Sequence, residues 1–144
     1  MKKHLLLTLS FILSMLLCLG ALTSCGEGIS GDEAKATTTA LFEALSAGSY
    51  EEAAALFHPD TLTNAQNLSD YCAGLLNDYG IDESKGMSIE KYTGFSSSMY
   101  DSNVGGARYE LTMQVTVGDK ICTFTTEVVR TDTGYGLINL HYNP

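Results

Sequence analysis

Between Ala107 and Val117 the chain alternates without a fault, and this run constrains the fold more than any other. Ala107, Tyr109, Leu111, Met113, Val115 and Val117 are apolar or aromatic, while Arg108, Glu110, Thr112, Gln114 and Thr116 between them are polar. Successive side chains of a strand point to opposite faces, so this pattern predicts a strand with one buried and one wet face. Gly118-Asp119 follows directly and has the composition of a two-residue hairpin loop. Such a loop sets Val117 opposite Lys120, Val115 opposite Cys122, Met113 opposite Phe124 and Tyr109 opposite Val128. Cys122, Phe124 and Val128 then share the buried face with the preceding strand, so turn chemistry and hydrophobic parity agree.

The flanking strands follow from the same logic. A three-residue loop, Asp132-Thr133-Gly134, would set Val128 opposite Ile138, Thr126 opposite Leu140 and Phe124 opposite Tyr142. Before the hairpin, Met87, Ile89, Thr93 and Phe95 give a poorer alternation that is expected to end in a Ser-rich turn around residues 96–98. The apolar set expected inside is Tyr109, Leu111, Met113, Val115, Phe124, Val128, Ile138 and Leu140.

Upstream of the strands the period is helical. Ala34, Thr38, Leu41 and Leu45, widened by Phe42, predict a first helix from about Asp32 to Ala47, stopped by Gly48. Ser49-Tyr50-Glu51-Glu52 reads as a capping box opening a short alanine-rich helix that ends at His58 before Pro59. A third helix, from about Leu68 or Ser69 to Tyr79, would carry Leu68, Cys72, Leu75 and Tyr79 on one side and stop at Gly80. Helices first and strands last define an α+β class: three N-terminal helices packed on a curved four-stranded antiparallel sheet.

The first 24 residues read as a targeting segment. Lys2, Lys3 and His4 precede an almost wholly apolar run from Leu5 to Leu19, followed by small residues, the anatomy of a secretory signal. Its ending, Leu22-Thr23-Ser24-Cys25, resembles the lipobox of bacterial lipoproteins. That resemblance implies a palmitate-type diacylglycerol on the Cys25 sulfur, cleavage just before it, and a lipid-anchored domain on the extracytoplasmic face of the cell membrane. Two other readings stand beside it. The leader could be an uncleaved span, although it is shorter than the ~20 apolar residues a bilayer needs, or an ordinary signal that leaves Cys25 a free thiol. Residues 25–31, Cys25 to Gly31, are expected to tether the domain, residues 32–144.

Charge narrows the partners. Without Lys2 and Lys3, six basic residues face seventeen acidic ones, a net of −11. This is a poor footprint for nucleic acid and disfavours electrostatic adhesion to an anionic membrane. No CxxC or His-rich spacing suggests a metal, and no motif asks for a cofactor. Cys72 and Cys122 both fall on inward stripes and are a candidate disulfide, permitted by an exporting route. Closing that loop of about 50 residues would add roughly 4 kcal/mol at most. Two buried free thiols are the competing reading.

The segment Ala40-Leu41-Phe42-Glu43-Ala44-Leu45-Ser46-Ala47-Gly48-Ser49-Tyr50-Glu51-Glu52-Ala53, with Leu56-Phe57-His58-Pro59-Asp60 and a closing Gly134-Tyr135-Gly136-Leu137-Ile138, resembles the extracytoplasmic members of the NTF2-like superfamily. The resemblance implies a curved sheet and helices around a cone-shaped pocket, in a family that holds isomerases and dehydratases as well as non-catalytic binders. No catalytic residue carries across, because no motif matches those enzymes position by position. His58 and Asp60 at a helix end, with Tyr92 and Tyr109 on strands, are the candidate pocket residues, set against plain structural roles as helix end, turn, rim and core. Three functions stay open: a lipid-anchored, non-catalytic domain that binds a protein partner or small apolar ligand at the envelope, an NTF2-like enzyme, or a structural accessory domain.

Overall fold

The computed structural model describes residues 28–144. The signal segment, Cys25 and the first part of the expected tether lie outside the described residues. Among the described residues three α-helices, α1 (Gly31–Ser46), α2 (Tyr50–Ala54) and α3 (Ala65–Tyr79), precede four strands, β1 (Met87–Asp101), β2 (Gly105–Val117), β3 (Lys120–Thr131) and β4 (Gly134–Asn143). The strands form one antiparallel sheet in the order β1-β2-β3-β4. The α+β class and the four-stranded antiparallel sheet are as expected.

The central hairpin has the expected register throughout, with Val117 opposite Lys120, Val115 opposite Cys122, Met113 opposite Phe124 and Tyr109 opposite Val128. Gly118 takes a left-handed φ of 62°, which a side chain would make costly. Leu111, Met113, Val115, Phe124 and Val128 are each at most 1% exposed, as are Leu41, Phe42 and Leu45 of α1. The Phe42 and Phe124 rings meet edge to face, 5.5 Å between centroids. Burying each such side chain stabilises the fold by about 1.5–3 kcal/mol, so this contact between α1 and β2–β3 is the energetic centre. One polar pair sits in it: the hydroxyls of Thr38 and Thr126, both fully buried, satisfy each other at 2.9 Å.

The other strands depart from expectation where tertiary contacts override local pattern. β1 does not stop at the serines but runs through Ser96–Ser98 to Asp101. A register shift after Ile89 places Tyr92 opposite Met113, and a second after Tyr92 places Phe95 opposite Leu111, so Tyr92, not Thr93, takes the inward parity between Ile89 and Phe95. Each bulge shifts side-chain parity by one residue, which is why the alternation read poorly. The last hairpin uses a two-residue loop, with Thr131 opposite Gly134, so Gly134 begins β4. A bulge at Ile138 then puts Leu137, not Ile138, opposite Val128, and restores the expected pairs Thr126–Leu140 and Phe124–Tyr142. Leu137 is fully buried, whereas Ile138, Leu140 and Tyr109 are only half-buried.

Leu137 is fixed by a second partner. Its N–H donates to the Leu56 carbonyl at 2.9 Å, and its carbonyl accepts from the His58 N–H at 2.8 Å. Residues 56–58 thus pair alongside β4, and α2 ends at Ala54 rather than His58. Ser49 precedes α2, but its side chain makes no capping bond, so the expected box with Glu52 is absent. A true capping box opens α3 three residues earlier than expected, Asn64 and Asn67 exchanging side-chain bonds with each other's backbone N–H at 3.0 Å. The fold also begins earlier. Ile29 is 7% exposed, and the Ser30 hydroxyl caps α1 by accepting from the Glu33 N–H. Gly28 to Gly31, expected as tether, therefore belong to the packed domain.

Candidate functional site

The four candidate pocket residues do not converge. His58 lies against β4, at one edge of the sheet, and Tyr92 lies on β1, at the other.

His58 is 3% exposed, and its hydrogen bonds assign its tautomer. Nδ1 accepts from the Asp60 N–H at 3.2 Å, so Nε2 carries the proton and donates to Thr131 Oγ1 at 3.0 Å. The Thr133 hydroxyl donates to Asp60 Oδ2 at 2.8 Å, which leaves Thr131 as donor to Thr133 across 2.9 Å. The ring His58–Thr131–Thr133–Asp60 closes on itself, each donor meeting an acceptor within it. General acid–base chemistry needs such groups aimed at a substrate. Here the imidazole instead fastens the turn before α3 to the β3–β4 loop.

Tyr92 and Tyr109 flank the start of α1. The Lys35 ammonium stands over the Tyr92 ring at 5.1 Å. Tyr109 stacks on Phe95 with 6.5 Å between centroids, and its hydroxyl packs so close to Gly31 that a Cβ there would come within 2.8 Å. Both are partly buried and pack against the core beside the start of α1. An open groove of about 610 Å³ lies at the far end of α1 between Glu43, Lys85 and Met87. The Ser46 hydroxyl beside it donates to the Phe42 carbonyl and accepts from the Met87 N–H, and that of Thr116 donates to Glu90. Among the described residues no cluster of His, Cys, Asp and Glu could hold a metal ion.

Cys72 and Cys122 are free, buried thiols in this structure, not a bridge. Burial pushes Cys72 up to about 12, with the nearby Glu83 carboxylate adding to the shift, and burial also raises Cys122. Burial likewise lifts Tyr71 and Tyr135 to about 12. The Tyr71 hydroxyl is enclosed without a properly aligned partner, the Tyr142 backbone lying close enough only to oppose the shift. In the native chain both buried thiols should stay unreactive toward a thiol reagent at neutral pH and titrate fully in denaturant. Above about pH 9 the unfolded chain releases protons that these folded groups retain, so unfolding free energy should fall as pH rises toward 12. Urea titrations at a series of alkaline pH values measure this, and a flat profile would contradict the buried placements.

One cluster had no signal in the sequence. Arg130 on β3 pairs with Glu33 of α1, donates to the Gly28 carbonyl at 3.1 Å and stacks over the Tyr135 ring at 4.9 Å. The Tyr135 hydroxyl in turn bonds Thr37 at 2.8 Å. Residues about a hundred positions apart thereby clamp the start of the domain. No spacing rule reaches that far.

No helix among the described residues is long and apolar enough to cross a membrane. Compared with known proteins, the chain matches no family model and no curated relative.

Proposed function

We propose that this chain is a lipoprotein anchored through Cys25 on the extracytoplasmic face of the membrane, with a non-catalytic, NTF2-like domain that binds a protein partner at the cell envelope. The observation that carries the reading is the filled interior. Where an NTF2-like cone would hold a ligand, Leu111, Met113, Val115, Phe124 and Val128 pack directly on Leu41, Phe42 and Leu45. An interior packed in this way leaves the surface for binding, and helices preceding a bulged four-stranded sheet suit a filled variant of that superfamily. The open edge of β1 is the natural docking line, because its outer backbone groups can accept an added strand, whereas residues 56–58 partly cover the β4 edge.

Two measurements test this. Mass spectrometry of the mature protein should find Cys25 at the N-terminus with a diacylglyceryl mass, and Cys25→Ala should release the domain from membranes or stall leader cleavage. A photo-crosslinking residue at Lys91, exposed on β1, should trap a discrete protein adduct in intact cells, while one at Asn139 on β4 should not. Absence of an adduct at Lys91 would remove the partner reading.

A further inference from the structure

We propose that the β1–β2 hairpin is a membrane-contacting arm, its apolar side chains resting in the interfacial layer of the lipid bilayer that holds Cys25. The proposal rests on the lipid-anchor part of the reading above and adds a surface to it. Phe95 is 78% exposed, Met99 69%, Tyr100 40% and Val104 62%. All four lie on one hairpin, and no charged residue interrupts Gly94 to Tyr100. Phe95 and Met99 have the parity of the inner face, opposite Leu111 and Ala107, yet lack cover there. Tyr100 has the opposite parity and Val104 lies in the turn, so exposed apolar side chains surround the end of the arm, where the Asp101 carboxylate is turned onto the Asn103 and Val104 N–H groups. Apolar exposure concentrated in one place marks an interaction site.

The geometry of the chain's start selects lipid as its occupant. Met99, Ala107, Arg130 and Tyr135 form one row across the four strands. Arg130 holds the Gly28 carbonyl, so the chain enters the fold at the level of Met99. With strands about 4.8 Å apart, Met99 lies about 10 Å across the sheet from that clamp. Cys25 precedes Gly28 by three residues, which reach at most about 11 Å. A diacylglyceryl group on Cys25 would therefore hold this end of the sheet, with both hairpin tips, against the bilayer surface. Aromatic side chains such as Phe95 and Tyr100 suit the boundary between headgroups and acyl chains. The acidic chain rules out electrostatic adhesion, so contact should be indifferent to salt and should need no anionic lipid.

The chain contains no tryptophan, so a single introduced one is a clean reporter. Among the described residues the core runs from Ile29 to Tyr142, and the mature chain from Cys25 retains all of it. With Cys72 and Cys122 buried, a maleimide lipid couples at Cys25 and anchors the domain to phosphatidylcholine vesicles whatever happens in cells. Phe95→Trp and Met99→Trp should then emit at shorter wavelength than in solution and be quenched by brominated lipid several-fold more than Ile121→Trp. Ile121 is 70% exposed next to the β2–β3 turn, at the opposite end of the sheet. Solvent-like, unquenched emission from Phe95→Trp and Met99→Trp on vesicle-bound protein would overturn the proposal. So would a blue shift that appears without vesicles and grows with protein concentration, which would assign the arm to a second copy of the chain. An unmodified Cys25 in cells would instead defeat the anchor reading and leave the vesicle result intact.

Discussion

Replacing Phe124 with alanine should lower the unfolding free energy by about 3–5 kcal/mol, the range for truncating a buried phenylalanine. Its ring is fully enclosed, edge to face with Phe42 and tilted against Tyr142, each at 5.5 Å between centroids. Helix α1 closes over it from one side and β2 flanks it on the sheet, so little can relax into the space. A domain of this size has roughly 5–15 kcal/mol in total, and the variant should lose much of its folded population on warming. Urea unfolding followed by circular dichroism checks this through a lowered midpoint at unchanged slope. Phe95→Ala is the internal control, because that exposed ring should shift stability by no more than about 0.5 kcal/mol. Equal effects at the two positions would show that the inner face is not filled.

Gly136→Ala should be comparably damaging for a different reason. A Cβ at this position would come within 2.5 Å of the His58 nitrogen, 2.6 Å of the Phe57 carbonyl carbon and 2.8 Å of the Leu56 oxygen. All three atoms are backbone, so no rotamer change relieves the clash. Residues 56–58 must move off β4, and the two hydrogen bonds they share with Leu137 stretch or break. Overpacking of roughly 1–3 kcal/mol, with two hydrogen bonds of about 0.5–1.5 kcal/mol each, predicts a loss of about 2–6 kcal/mol. Amide exchange should accelerate first at His58 and Leu137. Gly74→Ala makes the opposite prediction. That glycine sits within α3 with nothing close to the place of a Cβ, so alanine should stabilise by up to about 1 kcal/mol. If both variants melt alike, the pairing of residues 56–58 with β4 does not hold.

The change at Gly136 bears on function through the segment it would displace. Residues 56–60 carry His58 and Asp60, two of the candidate pocket residues read from sequence. Their hydrogen bonds run to Thr131, Thr133 and each other, and Gly136 lets them lie against the sheet. The imidazole is buried by this docking, not by a pocket. The side chains of His58 and Asp60, four and six residues past the end of α2, join this segment to the β3–β4 loop.

What was legible in the chain was what neighbours along it decide. The β2–β3 register followed from Gly118-Asp119 and strict alternation, since a two-residue loop leaves one pairing and parity must agree with it. The helical period of α1 and the stops at Gly48 and Gly80 were readable for the same local reason. The tertiary structure alone decided the rest. Bulges in β1 and at Ile138 exchange which residue faces inward, and their positions depend on how the strand must bend over the helices. The capture of Leu137 by residues 56–58, the clamp of Arg130 on Gly28 and Glu33, and the separation of His58 from Tyr92 each join residues that no spacing rule connects. Whether the inner face of the sheet holds a ligand or a core was also undecided by composition. Apolar side chains can line a cavity or fill one, and only the approach of α1 to the sheet, seen in the contact of Phe42 with Phe124, closes the space.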